Sequence, residues 1–118
     1  MKDSYTISYW SKITEMTGLM VWGFANGNRL NLYPAGGWFN WNSGDGSSNP
    51  FKNSGGNVLF ESYNNAWHHY TITGNGSETK LYIDGDYAGT ALTYKNITGT
   101  QIILSGWNSG SEYKWNSG

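Results

Sequence analysis

The chain contains no cysteine among its 118 residues. Disulfides, thiolate metal centres and cysteine nucleophiles are therefore excluded. Charge is also scarce: 13% of residues are charged, and the net charge is -1. No basic excess exists to neutralise phosphates, which argues against nucleic acid as a partner. The residues 54–56, Ser-Gly-Gly, lack the Lys-Ser/Thr of a phosphate loop. Ala, Leu, Glu and Lys are too few for a helical bundle. No apolar run approaches the length of a membrane helix, and residues 1–3 lead straight into a strand pattern with no apolar signal segment. What is present is turn and strand chemistry. Gly 17, Asn 14, Ser 13 and Thr 10 make up 54 residues, and Trp 7, Tyr 9 and Phe 4 make up 20. High aromatic content with low net charge disfavours disorder. The length suits one domain over residues 1–118, with enough chain for a single core.

Short apolar alternations recur between Gly/Asn/Ser clusters. Tyr5, Ile7 and Tyr9 alternate with Thr6, Ser8 and Trp10, the period-two pattern of a strand. Residues 19–24 form a continuous apolar run, read as a strand buried on both faces. Asn26-Gly27-Asn28 signals a hairpin. Leu30 and Leu32 point inward on the next strand, residues 34–37 make a turn, and residues 38–41 form a short aromatic strand. A polar loop is expected over residues 42–56, interrupted by Phe51, and a brief strand over 58–60. Residues 67–73 alternate with His68, Tyr70 and Ile72 on one side. Asp84-Gly85 between two apolar strands is the strongest hairpin signal in the chain. Residues 101–106 supply one more strand. About eight to ten short strands with regular turns predict an all-β, antiparallel two-sheet sandwich or barrel. Trp-Asn-Ser-Gly occurs at 41–44, 107–110 and 115–118, at unequal spacing, so it is no repeat array. Two glycosylation sequons, at Asn75 and Asn96, read as chance matches in so Asn- and Ser/Thr-rich a chain.

The segment Trp67-His-His-Tyr-Thr-Ile-Thr73, followed by a polar turn and Lys80-Leu-Tyr-Ile-Asp-Gly85, resembles the laminin-G-like branch of the concanavalin A-like lectin/glucanase superfamily. The opening Tyr5-Thr-Ile-Ser-Tyr-Trp10 and the later Ile97-Thr-Gly-Thr100 before Ile102-Ile-Leu104 are similar to further strands of that family. The resemblance implies a concanavalin A-like jelly roll. It also implies that the usual first and last strands are lacking. An open apolar edge favours self-pairing, so a homo-oligomer or a strand-completing partner chain is expected. Members of this kind imply an extracellular, cell-surface or virion location.

Glucanase relatives use two carboxylates close together on one strand. The Glu-x-Asp-x-x-Glu pattern is absent. Asp84 reads as a turn former and Asp86 as a solvated charge beside it. His68 and His69 are adjacent on a strand, so they face opposite sides and cannot chelate one ion together. Trp67 reads as a core residue whose indole N–H needs a partner.

The candidate ligand-binding residues are Trp38, Trp41, Asn42, Asp45, Asn49, Trp107 and Asn108. Aromatic faces stack on the C–H face of a pyranose, and Asn and Asp side chains bond its hydroxyls. The same residues read alternatively as core tryptophans and Asx turns. Asn42, Asp45 and Asn49 also form a candidate calcium set, thin in carboxylate for a dication. No other cofactor is expected. The reading is a non-enzymatic lectin-like binding or adhesion module on a bacterial or phage surface protein, with carbohydrate as ligand. The alternatives are a structural module that oligomerises without a ligand, and a glycoside hydrolase relative.

Overall fold

A computed structural model of the chain describes residues 4–13, 22–25, 31–42, 48–91, 101–104, 106–108 and 113–115, with side chains at 4–13, 36–41 and 49–91. The strands in chain order are β1 (Tyr5–Lys12), β2 (Trp22–Ala25), β3 (Asn31–Ala35), β4 (Trp38–Asn42), β5 (Ser48–Pro50), β6 (Lys52–Asn53) and β7 (Gly56–Asn57). After a 3-10 turn at Phe60–Ser62 come β8 (Trp67–Gly74), β9 (Thr79–Ile83), β10 (Asp86–Ala91), β11 (Gln101–Leu104), β12 (Gly106–Asn108) and β13 (Tyr113–Trp115). They form a six-stranded sheet in the order β1-β8-β9-β10-β6-β7, a five-stranded sheet in the order β11-β2-β3-β4-β5, and the two-stranded β12-β13 ribbon. The described pairings are all antiparallel. This is the two-sheet sandwich that the spacing of turns predicts.

Period-two patterning decides which side chains enter the core. On β1, Tyr5, Ile7 and Tyr9 face inward opposite Gly74, Ile72 and Tyr70 of β8. On β9, Thr79, Leu81 and Ile83 are buried while Lys80 and Tyr82 are half-exposed. From the facing sheet, Phe39 and Trp41 of β4 are fully buried. Tyr5 stacks on Trp41 with ring centres 6.3 Å apart, and Phe39 meets Tyr70 at 5.8 Å. The core is thus an aromatic contact between the sheets, and each ring removes a large area from water.

The Tyr5 ring needs the glycine opposite it. A Cβ on Gly74 would clash with that ring. The Tyr5 hydroxyl is hydrogen-bonded to Thr79 Oγ1 at 3.1 Å, so the ring is held from both ends.

Three local expectations are corrected. The 42–56 segment is not one loop, since it contains β5, β6 and β7. The reason is Phe51, which is fully buried and pins the segment: its N–H donates to Phe39 O at 3.0 Å, and its carbonyl accepts from Val58 N–H at 2.9 Å. Residues 58–60 are a lone bridge, Leu59 to Trp38, running into the 3-10 turn, because Phe60 N–H is taken by Gly37 O. Pro34 belongs to β3 and not to the turn, which falls on Gly36 and Gly37, both at positive φ. The described pairing of β3 with β2 stops at Leu32, so Pro34 interrupts no described ladder bond to that neighbour.

Candidate ligand-binding site

The predicted binding residues do not assemble into one described cluster. Trp41 is fully buried between Tyr5 and Phe51, which is the core role among its two sequence readings. Trp38 is half-buried at the start of β4. Asn49 stands opposite Trp41 in the β4–β5 register, whereas Asn42 is paired with Asn31 and Ser48. Asn49 borders a shallow recess of about 320 Å³ together with Pro50, Lys52 and Thr90. Trp107 and Asn108 lie in the β12–β13 ribbon, opposite Lys114 and Tyr113. Asp45, the one carboxylate of the calcium set, lies outside the described residues. Among the described residues no group of three or more His, Asp or Glu side chains is placed to hold a metal.

A different surface collects exposed aromatic rings. Trp10 is 65% exposed, Trp67 67% and Tyr87 51%, and all three stand on the outer face of the six-stranded sheet. This overturns the core reading of Trp67. In β8 the inward positions are His68, Tyr70, Ile72 and Gly74, so residue 67 falls on the solvent side.

The register places the rings relative to one another. Trp10 is opposite His69, and Lys12 is opposite Trp67, so the two tryptophans are diagonal neighbours. Trp10 and His69 have ring centres 5.2 Å apart. Thr71 is opposite Tyr82, and Tyr82 is opposite Tyr87, whose ring meets it edge-on at 6.0 Å. A stripe of five rings, Trp67, Trp10, His69, Tyr82 and Tyr87, therefore crosses four strands. Hydroxyls accompany it. Ser8 Oγ is hydrogen-bonded to His69 Nε2 at 2.7 Å and to Thr71 Oγ1 at 3.1 Å. The Tyr87 hydroxyl is hydrogen-bonded to Thr90 Oγ1 at 2.8 Å.

At one edge of this stripe Trp10, His69, Asp84 and Gly85 line a recess of about 440 Å³. Asp84 sits there because Asp84 and Gly85 both adopt positive φ, as the hairpin turn requires. Its carboxylate accepts the His69 backbone N–H at 2.9 Å and His68 Nδ1–H at 2.6 Å. The His69 backbone bond, and after it the His68 side chain, hold the Asp84 carboxyl below its ordinary range. The two histidines thus divide as their adjacency requires. His68 turns inward against Asp84, Tyr63 and Tyr70, and His69 turns outward under Trp10. Asp84 is a turn former, as expected, and also the organiser of the recess.

Sequence reasoning missed this surface. The signal was present in the opening alternation, which sets Trp10 out of phase with Tyr5, Ile7 and Tyr9. The exposure of Trp67 had the same signal, one residue out of phase with His68, Tyr70 and Ile72.

A laminin-G family model, described as the concanavalin A-like lectin/glucanases superfamily, matches residues 2–117. The chain belongs to this superfamily, as its strand motifs and sandwich indicate. No curated protein and no solved structure shows significant similarity to it. Among the described residues no helix is long and apolar enough to cross a membrane.

Proposed function

We propose that the chain is a non-enzymatic, lectin-like module that binds glycans and serves adhesion at a cell surface or virion. One observation carries the reading. Of the four exposed large hydrophobic side chains among the described residues, three are aromatic rings on one sheet face, set among serine and threonine hydroxyls. Exposed rings of this kind stack on sugar C–H faces, and the hydroxyls and Asp84 meet sugar hydroxyls. Superfamily membership supports the same class of ligand. Two of the four described carboxylates, Glu78 and Asp84 beside Glu61 and Asp86, are engaged within the fold, which supports binding over hydrolysis. Glu78 is paired with Lys80 at 3.0 Å, and Asp84 is engaged by both histidines. Trp38 and Asn42 of β4, Asn49 of β5 and Asp45 between them, with Trp107 and Asn108 of the β12–β13 ribbon, are proposed as secondary contact residues. Weak calcium binding by Asn42, Asp45 and Asn49 belongs to the same proposal.

A glycan array run with and without millimolar calcium tests the reading. Binding that is lost in Trp10→Ala supports it, and no glycan retained either on the array or on insoluble polysaccharide refutes it. Calorimetry showing no heat with millimolar calcium removes the metal.

A second reading, self-association, is favoured by the place of β1. In the described strand order it is an edge strand of eight residues, paired with β8 alone. Light scattering at high concentration decides it: a dimer or larger mass supports the reading, and a monomer mass refutes it.

A further inference from the structure

The glycan reading leaves the shape of the sugar open, and the outer face narrows it. The five rings lie on one face of a sheet, not around a cleft. From β1 to β10 the stripe crosses three inter-strand steps, about 14 Å. Trp10, Trp67 and Tyr87 are each more than half exposed, so a ligand meets rings at several points along its length. A compact terminal sugar would engage one ring and leave the others wet. A chain that presents a flat face repeatedly engages them all.

Charge on the face points the same way. Lys80 is tied to Glu78, which raises the Lys80 pKa. Lys12 stands at the corner beside Trp67, Lys52 stands opposite Thr90 beyond the Tyr87 end, and Asp84 stands at the recess beside Trp10, so the charges lie at the margins of the ring stripe. Between them the described positions are rings and hydroxyls: Ser8, Thr71, Tyr82 and Tyr87. Such a face is matched to an uncharged ligand rather than to a polyanion. Polar selection comes from the recess, where Asp84 keeps lone pairs free after accepting its two hydrogen bonds.

We propose that the outer face of the six-stranded sheet binds uncharged ribbon-like polysaccharides, β-linked and all-equatorial as in cellulose and chitin, laid across the strands from Trp67 and Trp10 to Tyr87. This inference rests on the glycan reading and specifies its ligand. All-equatorial β-linked sugars form flat ribbons whose two faces carry only C–H groups. Their hydroxyls project from the ribbon edges, where Asp84 and Ser8 meet them. Helical α-glucans do not present such a face.

Depletion assays on microcrystalline cellulose and on chitin, beside soluble dextran and glycogen, test the proposal. Competition by cello-oligosaccharides of rising length accompanies them. The expected result is retention on one or both insoluble ribbons, no retention on the α-glucans, and competition that strengthens with oligosaccharide length. Trp10→Ala and Trp67→Ala should each weaken retention by about tenfold or more, and Tyr87→Ala by several-fold. All three positions are solvent-facing, and a thermal melt of each variant confirms folding. Equal binding of a monosaccharide and a long oligosaccharide overturns the proposal, as does retention unchanged in the folded Trp10→Ala and Trp67→Ala variants. Array binding of compact or branched glycans that Trp10→Ala abolishes, without ribbon retention, overturns this inference and leaves the glycan reading standing. No glycan bound in any format overturns both.

Discussion

The two faces of the six-stranded sheet are made from the same strands and nearly the same residue types. Tyr9 and Tyr70 pair across β1 and β8 on the inside, with ring centres 5.6 Å apart. Trp10 and His69 pair one residue further on, on the outside, at 5.2 Å. Tyr70 of the inner pair packs against Phe39 of the second sheet, and Trp10 of the outer pair meets water. Aromatic content therefore does not mark the core of this protein. A ring contributes to stability where a second sheet covers it, and is left for recognition where none does.

The comparison is broken most severely by emptying the inside. Phe39→Ala removes a fully buried ring that contacts Phe60, Tyr63 and Tyr70. It should cost about 3–5 kcal/mol, a large part of the stability of a domain this size. Chemical denaturation followed by tryptophan fluorescence would show the drop in midpoint. Gly74→Ala comes next. Its methyl group enters the space of the Tyr5 ring, and overpacking of this kind should cost about 1–3 kcal/mol in the same assay.

The third prediction concerns the turn that joins the faces. The folded Asp84 carboxylate holds its charge more firmly than its ordinary value of 3.8. Its contribution is fully present above that pH, and is lost as pH falls through the still lower folded value. Asp84→Asn should therefore flatten the loss of stability below about pH 3.8, read as thermal midpoint against pH. A variant with the same acid limb as the parent would contradict the assignment.

Tyr70→Phe sharpens the comparison from within. The Tyr70 hydroxyl is buried with no hydrogen-bond partner among the described residues, and burial first, then Asp84 and Tyr63, push its pKa up. Removing an unsatisfied hydroxyl should be neutral or stabilising by up to about 1 kcal/mol. The smallest effect is expected outside. Trp10→Ala should change stability by no more than about 0.5 kcal/mol while removing a ring of the binding stripe. A large loss of stability there would mean that the outer ring is structural.

Much of the sandwich was legible from alternation and turn chemistry. The phase of Tyr5, Ile7 and Tyr9, the split of His68 from His69, and the Asp84-Gly85 hairpin all appear as the local pattern requires. The errors share one cause. Short strands β5, β6 and β7 and the turn at Phe60 exist because Phe51 and Phe60 are buried against β4, a contact between segments distant from local pattern. Polar composition in that stretch says loop, and tertiary hydrogen bonds make it strand. The burial of two tryptophans turns on the same kind of contact. Trp67 reads as a core residue, yet packing leaves it exposed, whereas for Trp41 packing selects the core reading over the ligand-contact one.

What the sequence alone determined is the period of each strand, the position of its chief hairpin and the superfamily. Alternation is a property of the backbone, and positive φ at Asp-Gly is a property of those two residues. What only the tertiary structure decided is which phase of each strand is covered. A strand offers two faces of aromatics, and nothing local states which one a second sheet will meet. The contact of Phe39 and Trp41 with Tyr70 and Tyr5 settles it, leaving Trp10 and Trp67 in water because only one face of the sheet can pack against β4.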